Sequence, residues 1–350
     1  MNTSEVSPII LEKAPIILAE IKKANNILLH CHPSPDPDSV GSALAMKFAL
    51  EQLGKRATVI KGDSEIPQAF MHFPGAKDIV QKNFFEVDLK EFELFIAVDA
   101  GGLVTVSRKG EVIFPSTLKV IVIDHHQTNG GFGSINLIEP SYPANCQVLF
   151  DLFQIWGIEM NSSIAANLFI GMYTDTGAFK WTGVNHHTFD IVRQLSLYIK
   201  DLPRLIADME NSNTPGFLAF EGLALSNIKL FCGGIMAVAV VSKKAIEDIL
   251  CPNENGLCIN LSNEDIRSSE ISSFMRTVPG WQIAVCAVET EYGMTKFSFR
   301  SGSKSIYDVS KLASSVGGGG HKFASGAVIN KPIDEAVSLV VAKAKELYNL

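Results

Sequence analysis

Apolar and polar residues follow one another along the chain in blocks that predict an ordered series of strands and helices. The amphipathic stretch 8–24 predicts a helix, the apolar run 26–31 a strand, and SVGSALAMKFALEQLG a helix from about Asp38 to Gly54. The same reasoning predicts strands at 57–61, 93–98, 118–123 and 134–138 and helices at 144–156, 162–173 and 187–200. Strands that alternate with helices favour an α/β domain with a mainly parallel sheet and helices on both of its faces.

The periodicity stops in the polar segment DMENSNTPG at 208–216. We interpret this segment as a linker between a domain over 1–207 and a smaller α+β domain over 217–350. In the second domain the pattern predicts strands at 234–241, 281–289, 294–301 and 324–329, and helices at 243–250, 268–276, 307–316 and from about residue 333.

Composition and charge narrow the class of protein. Hydrophobic residues make up 47% of the 350 positions and charged residues 19%, as in ordinary globular proteins. A formal net charge of −7 argues against the broad basic surface that long duplex nucleic acid requires. Six scattered cysteines without paired metal-ligand spacing predict reduced, mostly buried thiols, and no segment resembles a signal peptide or a membrane span. We therefore expect a cytoplasmic protein without a membrane partner; no pattern predicts its oligomeric state.

Four segments place carboxylates and imidazoles directly after apolar runs. They are HPSPDPD at 32–38, Asp99, Asp124-His125-His126, and Asp175 in YTDTG. In open parallel sheets ligands collect at the carboxyl ends of the strands, so we expect all four segments to lie at strand ends and to form one site. Unpaired buried charges are costly, and a polynuclear metal centre explains their recurrence.

The ligand types indicate which ions such a centre would hold. Asp36 and Asp38 can point from the proline-restricted loop toward two neighbouring ions, and Gly41 lets the following helix approach closely. Two divalent ions about 3.5–4 Å apart would offset the repulsion between four aspartates. Carboxylate oxygens with one imidazole per ion favour manganese or magnesium over structural zinc. The alternative, in which Asp38 only caps a helix and His32 is a loop histidine, explains that loop alone but not the other segments.

These motifs, in this order, resemble those of the DHH phosphoesterase superfamily. The matching stretches are HPSPDPDSVGS, the VD at 98–99, the DHH at 124–126 and the TDTG at 174–177. The second half resembles the DHH-associated domain through FSFRS at 297–301, YDVSKLA at 307–313 and GGGGHKFASGA at 317–327. The whole chain is most similar to the bacterial oligoribonuclease and pAp-phosphatase branch, called nanoRNase.

The resemblance implies a role for each acidic residue and histidine of these motifs. His32 and Asp36 would bind one metal ion, Asp38 and His125 the other, and Asp99 and Asp175 would bridge the two. Asp124 would orient a neighbouring histidine, and His126 would face the substrate phosphate. The catalytic set would thus be Asp99, His125, His126 and Asp175. Pro37 stands where the family usually has glycine, which stiffens this loop.

In the second domain, the residue types themselves suggest phosphate binding. Arg300 ends a strand and offers a planar, bidentate phosphate clamp. The glycine run permits close backbone approach to a phosphate, and His321 could donate to it. By resemblance, Gly319, Gly320 and His321 belong to the family's substrate-binding loop, and the active site would lie in a cleft between the domains. Lys304 and Lys322 are further phosphate candidates, although solvent-facing lysines are more common.

Other polar and aromatic residues fit structural roles better. Asn185-His186-His187 is typical of a helix N-cap, with Asn185 supplying the side-chain oxygen. Phe179 and Trp181, near Asp175, could stack on a base or pack around the site.

Together these features predict hydrolysis of phosphoesters with two divalent ions, manganese preferred and magnesium possible. The expected substrates are short oligoribonucleotides, cleaved to mononucleotides, and pAp, converted to AMP. Linear or cyclic dinucleotide messengers are an alternative, and a non-catalytic nucleotide-binding protein is a less favoured one. The acidic charge argues against a processive DNA exonuclease, and the GGGGH signature against a manganese pyrophosphatase; polyphosphate stays open.

Overall fold

The structure is a computed structural model that describes residues 6–210, 213–250, 261–302 and 305–350. It divides into two compact units, Met1–Ser212 and Asn213–Leu350. Each unit has its own sheet and its own hydrophobic core, and each is described separately.

The first unit is built from five short strands and six α-helices. In chain order these are α1 (Pro8–Lys23), β1 (Asn26–His30), α2 (Pro37–Gln52), β2 (Arg56–Ile60), β3 (Leu94–Val98), β4 (Lys119–Asp124), β5 (Ile135–Ile138), α3 (Asn145–Trp156), α4 (Ser162–Asp175), α5 (His186–Ser196) and α6 (Leu202–Glu210).

The strands form one parallel sheet in the order β2-β1-β3-β4-β5. The order reverses at β1, whose neighbours β2 and β3 both follow it in sequence. In a sheet of this order the crevice beside the reversal, at the carboxyl ends of β1 and β3, is where ligands bind. The predicted α/β class with a mainly parallel sheet is confirmed.

The two faces of this sheet are covered differently. Ile27 and Leu29 of β1 pack into the large core formed with the α-helices, whereas Leu28 points into a smaller core on the opposite face. That second core is closed by loops and single-turn 3-10 helices, including Phe84–Glu86 and Leu103–Thr105. Helices therefore lie on both faces, but those on the second face are only one turn long.

The second unit has a six-stranded mixed sheet between two helical layers. Its elements are α7 (Pro215–Ser226), β6 (Ile228–Phe231), β7 (Met236–Val241), α8 (Lys243–Leu250), α9 (Ser268–Met275), β8 (Ile283–Glu291), β9 (Met294–Ser301), α10 (Val309–Ser314), β10 (Gly319–His321), β11 (Ala324–Ile329) and α11 (Ile333–Tyr348). The strand order is β10-β11-β9-β8-β7-β6, and only β7 and β8 run parallel.

Alternate residues of the central strands supply the two cores of this unit. Phe297 and Phe299 of β9 pack against α10 and α11, while Ala284 and Cys286 of β8 face α7, α8 and α9. The α+β character expected for this half of the chain is therefore present, with helices on both faces of its sheet.

Four elements have no counterpart in the sequence prediction: α6, α7, β6 and β10. The segment interpreted as a linker, 208–216, begins inside α6 and ends inside α7, and its residues 211–212 lie outside the described part of the chain. Asn185 caps α5 by accepting from the backbone N–H of Thr188, which confirms the predicted capping role.

No helix in the described ranges combines the length and the apolar composition that crossing a bilayer would require. Cys31, Cys146 and Cys286 are buried free thiols, and Cys232 is a partly buried one, as expected. Cys251 and Cys258 lie outside the described residues.

Helices α2 and α4 pack closely at Gly41 of α2. A Cβ atom at Gly41 of α2 would lie 2.6 Å from the carbonyl oxygen of Asn167 in α4, closer than real Cβ atoms approach. This contact confirms the close approach expected from Gly41. It matters because α2 begins with the acidic loop, and α4 ends at Asp175.

We predict that Gly41→Ala destabilises the protein by about 1–3 kcal/mol, because the added methyl group has no space between the helix backbones. Gly222→Ala is the matched control: Gly222 is an exposed helix residue whose added Cβ would meet nothing within 4 Å, so it should cost nothing or stabilise slightly. Urea unfolding of both variants measures the difference, and equal stabilities would contradict the packing described.

Candidate active site

Three polar segments meet at the carboxyl edge of the parallel sheet. His32 follows β1, Asp99 follows β3, and Asp124-His125-His126 ends and follows β4. Since β1, β3 and β4 are neighbours in the sheet, their ends lie side by side. Asp175 reaches the same place differently: it is the last residue of helix α4, so the expectation that all four segments follow strands is wrong for it.

The His32 side chain links the first loop to the end of β3. Its Nδ1 lies 3.3 Å from Asp36 Oδ2, and its Nε2 lies 3.6 Å from Asp99 Oδ2 and within hydrogen-bonding reach of the Asp99 carbonyl. The other oxygen of Asp36 caps α2 by accepting from the backbone N–H of Ser39 at 2.8 Å. Asp36 thus both caps a helix and faces the site.

Asp38 is held by the start of another helix. Its two oxygens accept from the backbone N–H groups of Asn145 and Cys146, at 2.7 and 3.1 Å, at the N-terminus of α3. A helix N-terminus favours a carboxylate because its N–H groups are unpaired within the helix. The role considered as an alternative, capping of its own helix, belongs to Asp36.

Asp99 stands at the centre of the cluster and is only 2% exposed. Its backbone is left-handed, with φ of +57°, and its N–H donates to the carbonyl of Ile123 at 2.9 Å. His125 Nε2 lies 3.4 Å from Asp99 Oδ1, 3.4 Å from Asp175 Oδ2 and 4.0 Å from Asp38 Oδ2. The opposite nitrogen of His125 donates to the carbonyl of Tyr142 at 3.1 Å, which leaves Nε2 directed at three carboxylates.

Asp124 is fully buried and orients His126. Its Oδ1 accepts from His126 Nδ1 at 2.7 Å, and its Oδ2 accepts from Asn129 Nδ2, also at 2.7 Å. The same amide nitrogen of Asn129 lies 2.9 Å from the carbonyl of Ala100. Asn129 therefore ties the loop after β4 to the loop after β3, and it fixes the carboxylate that holds His126.

The crowded carboxylates perturb one another. Burial and the neighbouring Asp38 raise the pKa of Asp99 well above its usual range, and the same two causes raise the pKa of Asp175 to about 7. Burial alone would lower the pKa of His32, but contacts with Asp36 and Asp99 outweigh it and raise this pKa to about 9. Without compensating cations, several of these groups hold protons at neutral pH.

These residues fit a divalent metal centre. Three sets of ligand atoms lie within 4.8 Å of one another: His32, Asp36 and Asp99; Asp38, His125 and Asp175; and Asp99, His125 and His126. In addition, Asp99 Oδ1 is buried and has no hydrogen-bond donor among the described residues. A buried acceptor without a donor costs free energy, and a cation would satisfy it. Carboxylate oxygens form the larger part of these sets, and such ligands favour manganese or magnesium.

Two glycines leave room for the acidic side chains. A Cβ at Gly62 would lie 1.6 Å from the carbonyl oxygen of His32, so only glycine lets the segment that follows β2 pack against the first loop. A Cβ at Gly171 would lie 2.3 Å from Asp38 Oδ1. Gly171 therefore keeps open the space that the Asp38 carboxylate occupies.

In the second unit, the predicted phosphate-binding residues share one face of the mixed sheet. Arg300 of β9 is paired with Ala324 of β11, and Ala324 is paired with His321 of β10. Residues directly opposite on antiparallel strands project from the same face, so only the small Ala324 separates Arg300 from His321. Gly319, Gly320 and His321 are exposed. A Cβ at Gly320 would lie 2.6 Å from Ser325 Cα, whereas one at Gly319 would meet nothing within 4 Å.

Comparison with known proteins agrees with this arrangement. A family model described as "DHH family, N-terminal domain" matches residues 26–172, and a "DHHA1 domain" model matches residues 259–349. The chain carries a DHH-family domain followed by a DHHA1 domain. With these domains it is a metal-dependent phosphoesterase.

Curated relatives match over nearly their whole length. A protein of Thermus thermophilus named bifunctional oligoribonuclease and PAP phosphatase NrnA is 28% identical over 338 residues, covering 94% of this chain and 93% of the relative. A protein of the same name from Bacillus subtilis is 23% identical and covers 89% of this chain and 92% of the relative. Among solved structures, an exopolyphosphatase-related protein of Bacteroides fragilis aligns with a TM-score of 0.84 at 23% identity, over 97% and 98% of the two chains. That likeness shows the DHH fold.

The remaining sequence candidates lie outside the metal cluster of this DHH-family protein. His187 Nε2 lies 2.9 Å from Asp151 Oδ2, beneath the ring of Tyr142, and belongs to none of the three ligand sets. Phe179 is partly buried at the edge of the core, where its ring contacts Tyr173 and the exposed ring of Phe189. Trp181 is half exposed beside Gly177.

Of the two lysine candidates, Lys322 lies within the described residues. Lys322 Nζ lies 5.2 Å from the centroid of the Phe323 ring, so its ammonium group is over an aromatic face. Lys304 lies outside the described residues.

Sequence reasoning missed the residues that hold the ligands in place. They are the backbone N–H groups of Asn145 and Cys146, the carbonyl of Tyr142 and the side chain of Asn129. Only Asn129 carried a usable signal, because it is a polar residue three positions after the DHH motif. The contacts of Asn145 and Cys146 depend on helix α3, more than 100 residues from Asp38, meeting the first loop. The Tyr142 contact gives no sequence signal because every residue has a backbone carbonyl.

We predict that Asn129→Ala lowers kcat about ten-fold or more while the protein still binds its metal ions, because Asp124 loses the donor that fixes it behind His126. Asn136→Ala is a control in the same segment, since its amide bonds only to the backbone of Gly133. Steady-state kinetics and metal titration measure the two effects. Loss of metal together with activity in Asn129→Ala would contradict a role confined to positioning.

We also predict that metal binding releases protons near neutral pH. Because the pKa of Asp175 is about 7 and that of His32 about 9 in the metal-free protein, both must lose protons before they can act as ligands. The apparent Mn²⁺ affinity should therefore rise with pH from 6 to 9. Calorimetric titration in two buffers of different ionisation enthalpy counts the protons, and an affinity independent of pH with no proton release would contradict the prediction.

Proposed function

We propose that this protein is a two-metal phosphoesterase that hydrolyses short oligoribonucleotides to mononucleotides and pAp to AMP. The observation that carries the proposal is the pair of ligand sets, His32-Asp36-Asp99 and Asp38-His125-Asp175, joined by the short distance between Asp99 and His125. The names of the Thermus thermophilus and Bacillus subtilis relatives support this choice of substrates.

In this proposal the side chains divide the metal site between two ions. His32 and Asp36 would hold one ion, Asp38 and His125 would hold the other, and Asp99 and Asp175 would contribute ligands to both. Manganese is preferred and magnesium is possible, given the oxygen-rich ligand set. When bound, the ions lower the pKa of a water molecule to near neutrality and compensate the charge of the reacting phosphate.

In the proposal, a few residues outside the metal-ligand sets named above hold and orient the substrate. His126, 42% exposed at its side chain, faces the open side of the cluster and donates to the substrate phosphate through the nitrogen that Asp124 does not occupy. Its contact with Asp124 raises the pKa of His126, so it keeps a donating proton toward higher pH. Arg300, Gly319, Gly320 and His321 of the second unit bind phosphate groups of the substrate.

The test is manganese-dependent hydrolysis of a 5′-labelled RNA series, from two to about twenty nucleotides, with pAp alongside. We expect the shortest RNAs to be cleaved fastest and pAp to release phosphate. Activity on linear or cyclic dinucleotides alone would replace this function by messenger turnover. Metal binding without any hydrolysis would leave a nucleotide-binding protein.

Asp99→Asn ties this activity to the cluster. Asparagine tolerates the left-handed backbone at this position, so the fold should survive while the bridging carboxylate is lost. We expect both ions and turnover to be lost together. Asp78→Ala, which removes a carboxylate that is 64% exposed on the same unit, is the control. Full turnover in Asp99→Asn would show that the site is assigned wrongly.

A further inference from the structure

Two arginines lie together on the second unit. Arg300 is half buried in β9, where its Nε donates to Ser273 Oγ of α9 at 3.1 Å and its Nη1 donates to the carbonyl of Phe299 at 3.0 Å. Arg276 follows Ser273 by three residues, with helical backbone angles at the end of α9. Residues three apart share one side of a helix, so Arg276 lies one turn from the serine that Arg300 touches.

The position of α9 against the sheet is fixed next to this pair. Ser272 Oγ and Ser298 Oγ lie 3.1 Å apart, which joins α9 to the same face of β9 from which Arg300 projects. Burial and the positive charge of Arg276 lower the pKa of Arg300, as expected for two guanidinium groups held near one another. Arg276 is thus a fixed neighbour of Arg300.

In the described part of the chain, neither guanidinium has a carboxylate oxygen within 4.0 Å, whereas Arg193, Arg204 and Arg267 each pair with one on their own helix. Arg56 and Arg108 also lack such a partner among the described residues, so the feature that distinguishes Arg276 and Arg300 is that the two lie together. Two adjacent cations without a counter-ion repel each other, and the partial burial of Arg300 adds to the cost. In a chain with net charge −7, such a pair indicates a site built for an anion.

The surface beside the pair is low and open. In the row His321–Ala324–Arg300 the middle residue carries only a methyl group. Gly319 and Gly326 form the next pair of β10 and β11 that lies on the same face of the sheet. Small residues let a ligand approach the sheet closely, with Arg300 on one side and His321 on the other. A planar guanidinium matches the oxygens of a phosphate, and two of them match a doubly charged one.

We infer that Arg276 and Arg300 together bind a phosphate group of the substrate other than the one that is hydrolysed. The inference rests on the proposed function, in which the hydrolysed phosphate is held by the metal ligands of the first unit. A terminal phosphate, such as the 5′-phosphate of pAp or of a 5′-phosphorylated dinucleotide, has the double negative charge that suits two guanidinium groups. Arg276 is then a specificity-determining residue for substrates with such a group.

The test compares two substrates that differ only in this phosphate, pAp and adenosine 3′-monophosphate. The wild type should prefer pAp, and Arg276→Gln should reduce the ratio of the two kcat/KM values about ten-fold or more. Arg276→Lys, which keeps the charge but loses the planar fork, should lie between them. Thermal unfolding of each variant checks that the fold is intact.

Lys296→Gln is the matched control. Lys296 is exposed and projects from the same face of β9 as Arg300, four residues away. Its substitution by glutamine removes one positive charge, as Arg276→Gln does. It should leave the substrate ratio as in the wild type. Equal ratios in the wild type and Arg276→Gln, no preference for pAp in the wild type, or an equal effect of Lys296→Gln would each overturn the inference.

A binding measurement separates this inference from the proposed function. If the wild type hydrolyses neither substrate, the proposed function fails, and equilibrium dialysis of pAp with the full chain decides the inference. Binding weakened about ten-fold by Arg276→Gln but not by Lys296→Gln would uphold the phosphate site. Equal binding by all three proteins would overturn it.

Discussion

The structure of the first unit depends on keeping five carboxylates close together, three of them buried. Asp38, Asp99 and Asp124 are at most 3% exposed, and Asp36 and Asp175 face the same space. Like charges at such distances cannot all ionise without compensation. The protein compensates Asp38 with helix N–H groups and Asp124 with His126 and Asn129, but the buried Oδ1 of Asp99 has no donor in the described chain. A metal cation at this oxygen would supply the compensation that the protein does not provide.

The backbone around the cluster is arranged to make this convergence possible. Neighbouring strands of the parallel sheet bring three loops to one edge. Asp38 and Asp175 reach the same place only because helices α2, α3 and α4 pack closely against one another. Gly41 and Gly171 provide the space for that approach, and Gly62 provides it behind His32. Packing and chemistry are therefore coupled here: a methyl group added at Gly171 would press directly on Asp38, one of the proposed metal ligands.

Much of this arrangement could be predicted from the sequence, because strand ends and polar motifs are local features. The strands that precede His32, Asp99 and Asp124 lie where the apolar runs predict them. Asp175 lies two residues beyond the helix predicted at 162–173, and α4 extends to include it, so the sequence predicts the helix but not that this helix, rather than a strand, brings Asp175 to the site. β10 was missed because a glycine run has no strand pattern of its own and becomes a strand only by pairing with β11. Arg276 gave no signal either, since its meaning depends on α9 packing against Arg300.

The central claim is that the cluster around Asp99 is a two-ion centre. Anomalous diffraction at the manganese absorption edge, from crystals grown with Mn²⁺, tests it most directly. Our account predicts two peaks about 3.5–4 Å apart, one beside His32 and Asp36 and the other beside Asp38 and His125, with Asp99 in contact with both. A single peak, or peaks only outside this group of residues, would contradict it.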